Sequence, residues 1–155
     1  MTGDAWHFEL PEDCQLRTSL NALEFIACTI TIWVDSLREK ILPEDCIQSQ
    51  TDSSATGWLR KSNFCDHDDE VVQLLMARKL ANIIMSTESC LYSQWFEGNE
   101  NCVADSLSCD FHIPDFHLQH LLCSTFPLQV PFGLKILPLP TEIVSWLMSL
   151  LLKQL

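Results

Sequence analysis

Twenty residues from Ser19 to Arg38, SLNALEFIACTITIWVDSLR, constrain this chain more than any other stretch. At 100° per residue, Leu20, Leu23, Ala27, Ile30, Val34 and Leu37 fall on one stripe, which Ala22, Ile26 and Trp33 widen. The β-branched residues lower intrinsic helix propensity, so a helix here depends on burial. A buried helix needs partners, and Pro43 prevents its simple continuation. The rest of the chain must therefore supply surfaces that cover it.

Those surfaces can be read in outline. WHFEL, residues 6 to 10, alternates weakly before Pro11 and predicts a short strand. Cys46 to Asp52 predicts a second strand, and residues 55 to 62 a short helix. CDHDDE is an acidic loop running into a second strong helix, Glu70 to Ser86, with Val71, Leu74, Leu75 and Leu80 to Ile84 as its apolar side. Ser89 to Phe96 predicts a strand, and a helix after Asn101 carries Val103, Ala104 and Leu107 on one side. Strands alternating with helices imply an α/β fold. Beyond His112 come five of the seven prolines, and FPLQVPFGLKILPLP, residues 126 to 140, predicts an extended, irregular run. A last helix, 142 to 153, follows with Thr141 as N-cap and Ile143, Trp146, Leu147 and Leu150 as its stripe.

Composition narrows the function. A length of 155 residues suits one domain with an appendage, and 47% apolar residues suffice for a core. A net charge of -12 argues against general nucleic-acid binding, which rests on Lys and Arg. Carboxylates can still meet phosphate through metal cations. The eight cysteines lack the C-x2-C spacing of zinc modules and several sit in apolar runs, which reads as free thiols in a reducing, intracellular setting. The N-terminus has no signal-peptide pattern, and IVSWLMSLLLKQL is too short for a span of about 20 residues, so no membrane role is expected.

Three acids on three elements stand out. Glu24 borders the apolar face of the long helix, in a polar stripe with Cys28, Thr31 and Asp35. Asp52 ends a strand, where open α/β sheets gather their chemistry. Asp105 lies in the first turns of a helix that follows another strand. They fit either a shared divalent-cation site or three separate roles: a solvated flank, a turn residue and a first-turn acid. His117 and His120, at i and i+3 on a possible helix, read as surface residues, since nothing in the sequence completes a site around them.

The stretch QWFEGNENCVADSLSCDFH, with a Gly turn leading to Asn, Ala-Asp and Leu-Ser, resembles the end of the RNase H domain in retrotransposon reverse-transcriptase polyproteins. SLNALEF resembles the helix that supplies that family's catalytic Glu, and TDSSATGWLRKSNF the segment with its Thr-Asp-Ser. All three occur in the family's order over residues 5 to 112. The resemblance implies Glu24, Asp52 and Asp105 as catalytic metal ligands, two Mg2+ ions, and cleavage of RNA in RNA–DNA hybrids. It also implies an RNase H-like mixed sheet flanked by helices. Cys109 stands where many relatives have Arg.

Against that family pattern, the chain lacks the first strands and the metal-bridging Asp borne on the first of them. WHFEL resembles the third strand only, and a shortened sheet could close by pairing it with CIQSQ. The expected organisation is a truncated RNase H-like domain at 1–112, then a Pro-rich connector and C-terminal helix at 113–155. The expected function is an ancestral ribonuclease, inactive as this chain, in the cytoplasm or nucleus. The alternative is a noncatalytic fragment that binds a protein through an exposed sheet edge or the C-terminal helix.

Overall fold

In a computed structural model, residues 3–52, 70–98, 101–130 and 133–152 are described. In chain order they form β1 (Asp4–Ala5), α1 (Glu12–Arg17), α2 (Leu20–Leu37), β2 (Cys46–Thr51) and α3 (Glu70–Ser86). There follow β3 (Cys90–Trp95), α4 (Cys102–Cys109), α5 (Asp115–Thr125), β4 (Lys135–Ile136) and α6 (Thr141–Leu152). The molecule is mixed α/β, as the alternation of elements predicts.

Helix α2 begins where its sequence dictates, since the Ser19 side chain caps the free Ala22 N–H at 3.2 Å. Its end is a six-to-one and five-to-two closure: Lys40 N–H donates to Asp35 O at 3.0 Å and Glu39 N–H to Ser36 O at 3.1 Å. Glu39 takes the left-handed conformation usual for glycine, at φ 54°. Helix α3 ends in the same way on Glu88, at φ 52°, and two residues later the chain is already strand β3.

The buried face of α2 is rotated from the predicted stripe. Ala22, Phe25, Ile26, Thr29, Ile30, Ile32, Trp33 and Val34 are buried, whereas Leu20 is 73% exposed and Leu37 44%. A helix covered from more than one side buries more than one stripe, and periodicity alone cannot place the centre. Helix α3 buries Val72, Gln73, Met76, Leu80 and Ile83, leaving the predicted core residues Val71 and Leu74 exposed. The α2 and α3 faces meet in the main core, which α6 completes with Ile143, Leu147, Leu150 and Leu151. Trp146 of α6 meets Trp33 edge to face at 5.4 Å, and the Lys79 ammonium lies 3.4 Å from the centre of the Trp33 ring. By length and composition α2 could also cross a bilayer, but here its apolar face is the heart of this core.

Strands β2 and β3 pair in parallel, with Cys46 opposite Cys90 and Thr51 opposite Trp95. Parallel neighbours need a crossover, and α3 lies on it. The inner face sends Ile47 and Leu91 to the core. The outer face exposes Gln48, Gln50 and Gln94, whose amides bond one another.

Three expectations are corrected. WHFEL is not a strand: Trp6, Phe8 and Leu10 pack on the main core from irregular backbone, and the Trp6 indole donates to Thr31 Oγ1 at 3.2 Å. The strand at this end is Asp4–Ala5, which pairs in parallel with Lys135–Ile136, so WHFEL does not pair with CIQSQ. Among the described residues there is no single mixed sheet but two two-stranded parallel sheets. Ahead of the proline-rich run, α5 forms behind Pro114, carries His117 and His120, and buries Leu118 and Leu122. Helix α1 likewise forms behind Pro11, with Glu12 and Asp13 in its first turn, a start signal present in the sequence and not used above.

A second, smaller cluster joins Leu118 and Leu122 of α5 to Val130, Leu134 and Ile136, with Val103 and Leu107 of α4 against it. The proposed boundary at residue 112 is thus crossed by the β1–β4 pairing and by α6. Two polar ties reinforce the crossing region: His7 Nε2 lies 2.8 Å from Asp115 Oδ1, and Asp4 is held by Lys40 and Arg38. The helix predicted at 55–62 and the acidic loop before Glu70 lie outside the described residues.

Candidate functional site

The site is built where α2, the end of β2 and the start of α4 come together. Helix α2 lies toward the inner face of β2, whose Ile47 packs on the core that α2 forms, and the Cys28 thiol is within hydrogen-bonding reach of Ser49. Burial is the main reason that thiol is pushed up to about 11, with the negative charge of Glu24 adding to it. Glu24 stands one turn before Cys28 on the same helix side, and so reaches toward the C-terminal end of β2, where Asp52 follows Thr51.

Asp52 is held from the β3 side. The Trp95 indole donates to its carbonyl at 2.9 Å, and Asn101 Nδ2 donates to its Oδ1 at 3.2 Å. Gly98 closes in on the other carboxylate oxygen: a methyl group there would lie 2.8 Å from Asp52 Oδ2. Any larger residue there would push that carboxylate out of its present position. Trp95, Gly98 and Asn101 were not singled out as site residues by the sequence reading. Their signal lay in the Gly turn and Asn of the EGNEN run.

Asp105 is exposed in the first turn of α4, whose Val103 and Leu107 bind the smaller apolar cluster. Electrostatics show that the three acids face one region. Glu24 is half-buried, and its carboxyl is pushed above its ordinary value first by desolvation, then by the charges of Asp52 and of Asp105. Among the described residues, no other acid contributes to that upward push. Asp35, on the same polar stripe, belongs elsewhere: it lies 3.8 Å from Lys40, beside the Asp4 ion pairs.

Mutual repulsion extends over several ångströms, whereas a shared hard cation needs oxygens about 2.0–2.6 Å from it. Among the described residues, no three His, Cys, Asp or Glu side chains are drawn close enough to surround an ion. The trio is therefore an open cluster of negative potential, which a cation would have to draw together. His117 and His120 are exposed on α5, beside a surface depression lined by Ile113, Phe116, Leu121 and Ser124 that contains none of the three acids.

Desolvation of Glu24, with the repulsion added to it, has a measurable cost to the fold. A carboxyl whose folded pKa is raised binds more protons folded than unfolded, so stability falls as pH climbs from its ordinary value of 4.5 through the raised one. Glu24→Gln removes that loss. After discounting for solvent screening of a half-exposed group, the variant is expected to gain up to about 1 kcal/mol at neutral pH. Melting curves of both proteins at acidic and neutral pH check this. Parallel pH profiles would show that neither burial nor the neighbouring acids raise the Glu24 carboxyl.

No protein-family model, curated protein or solved structure matches the chain.

Proposed function

We propose that this chain is an RNase H-like fragment of retroelement origin, whose Glu24, Asp52 and Asp105 are the remnant of a two-Mg2+ site that hydrolysed RNA in RNA–DNA hybrids. The observation that carries this reading is that Glu24, whose carboxyl burial pushes above its ordinary value, is pushed further by the charges of Asp52 and Asp105 from two other elements. Such like-charge clusters are costly to a fold and cluster at functional sites. Asp52 is further positioned by Asn101 and by the space at Gly98.

The chemistry that follows from three carboxylates is limited. They bind one divalent cation, because the cation relieves the repulsion, on the order of millimolar affinity for so open a set. Positioning two ions, to activate a water and to stabilise the leaving oxygen, calls for a further bridging acid. Of the acids that precede Glu24, Asp4 is committed to Lys40 and Arg38, and none acts on Glu24. The chain on its own is therefore read as a cation-binding relic without hybrid-cleaving activity. An intracellular location, cytoplasm or nucleus, fits the free thiols.

The alternative, a noncatalytic module that docks through its C-terminal helix, has less support. That helix already buries Ile143, Leu147, Leu150 and Leu151 in its own chain.

The test is a Mg2+ titration followed by backbone and carboxyl chemical shifts, paired with a cleavage assay on an RNA–DNA hybrid. Saturable shifts are expected at Glu24, Asp52 and Asp105, abolished by Asp52→Asn, with no cleavage. Shifts spread over all surface acids would remove the metal-site reading. Mg2+-dependent cleavage lost in Asp52→Asn would overturn the assignment of inactivity.

A further inference from the structure

Five residues before Thr51, at the other end of β2, the register places Cys46 directly opposite Cys90 of β3. Adjacent strands run about 4.7–4.9 Å apart, inside the 4.4–6.8 Å range of Cα separations that a disulfide spans. Both cysteines are exposed and both are free thiols, on the same outer face as Gln48 and Gln94. The strand starts are fixed by two further backbone bonds: Glu44 N–H donates to Glu88 O at 2.9 Å, and Cys90 N–H to Asp45 O at 2.9 Å. The two side chains are thus held side by side on a hydrogen-bonded frame, at the surface, in reach of a soluble oxidant.

We propose that Cys46 and Cys90 form a reversible redox pair that closes to a disulfide when the chain meets a low-molecular-weight disulfide such as glutathione disulfide. One cysteine thiolate attacks a sulfur of glutathione disulfide, breaking its S–S bond and releasing one glutathione thiolate. The neighbouring cysteine thiolate then attacks the protein sulfur of the mixed disulfide and displaces the second glutathione. The two protons of the protein thiols pass to the two released thiolates. The protein loses two electrons and glutathione disulfide gains them, giving one protein disulfide and two glutathione molecules.

The thiols also interact with each other. The hydrogen bond to Cys46 is the main reason Cys90 is held above the ordinary thiol range, with slight desolvation and the charge of Cys46 adding to it. Exchange is thus slow at neutral pH and quickens as pH rises, because only the thiolate attacks. The loop that closes, from 46 to 90, contains α3, so the bond would staple the β2–α3–β3 unit at its open end. Among the described residues the other exposed cysteines, Cys109 and Cys123, lie on α4 and α5 and provide internal comparisons.

The experiment uses the reduced full chain with glutathione disulfide at mildly alkaline pH, followed by thiol blocking and peptide mapping. A Cys46–Cys90 linked peptide is expected to form at least about ten-fold faster than any link through Cys109 or Cys123, because the pair is already aligned. The melting midpoint is expected to rise by roughly 5–10 °C and to fall back on reduction. Cys46→Ser and Cys90→Ser should each abolish both effects. Glutathione found separately on Cys46 and on Cys90, with no link between them, would overturn the proposal. So would a rise in midpoint that survives in either serine variant.

Discussion

Phe25→Ala is expected to remove about 3–5 kcal/mol of stability, the range for deleting a large aromatic from a packed core. Phe25 is 1% exposed, in the main core where α2 meets its covering helices. Domains of this size hold only about 5–15 kcal/mol in all, so the loss lowers the melting midpoint by roughly 10 °C or more. The informative comparison is Leu20→Ala. Helical periodicity places Leu20 on the buried stripe, yet it is 73% exposed. That substitution is expected to cost less than about 1 kcal/mol. Equal losses in the two variants, read from urea or thermal unfolding, would show that α2 is rotated from the position described. A rotation of α2 would also move Glu24 away from Asp52.

Gln73→Leu is expected to act in the opposite direction and stabilise the protein. Gln73 is fully buried on α3, and neither its amide oxygen nor its amide nitrogen has a hydrogen-bond partner. Burying an unpaired amide costs about 1–3 kcal/mol, and an apolar side chain of similar volume removes that cost. The gain should appear as a midpoint higher by roughly 2–10 °C. Thr29 on α2 shares the condition, with 0% exposure and an unpaired hydroxyl, so Thr29→Val should add a smaller gain. A less stable Gln73→Leu protein would mean that the amide is satisfied after all. Two orphaned polar groups in the α2 and α3 core are unusual, since the great majority of buried polar groups are paired.

Much of the secondary structure was legible because it rests on local physics. Ser19 and the break before Pro43 bracket α2, and α3 occupies Glu70 to Ser86 as periodicity predicts. The strands β2 and β3 were placed to within a residue or two. Failures fell where distant partners decide. WHFEL alternates like a strand, but no neighbour pairs with it; Asp4 and Ala5 pair instead, with residues near the other end of the chain. Val71 and Leu74 are as apolar as Val72 and Met76, and only the direction from which α2 approaches selects the second pair for burial.

The candidate site divides in the same way. Glu24, Asp52 and Asp105 could be named from residue type, position and resemblance. Asn101, Gly98 and Trp95 could not be given roles, because their contacts with Asp52 arise from how the β3 end folds back on β2. The Cys46–Cys90 pairing is still less visible, since it depends on strand register: a slip of one residue would turn one thiol to the opposite face.

Local rules thus account for where helices and strands start and stop in this chain, for its acidity and for its store of thiols, because capping, periodicity and charge are carried by neighbouring residues. Which face of α2 is hidden, which carboxylates repel one another and which cysteines stand opposite each other were set by packing. Those relations join residues separated by tens of positions, and their energies come into being only when the separated surfaces meet.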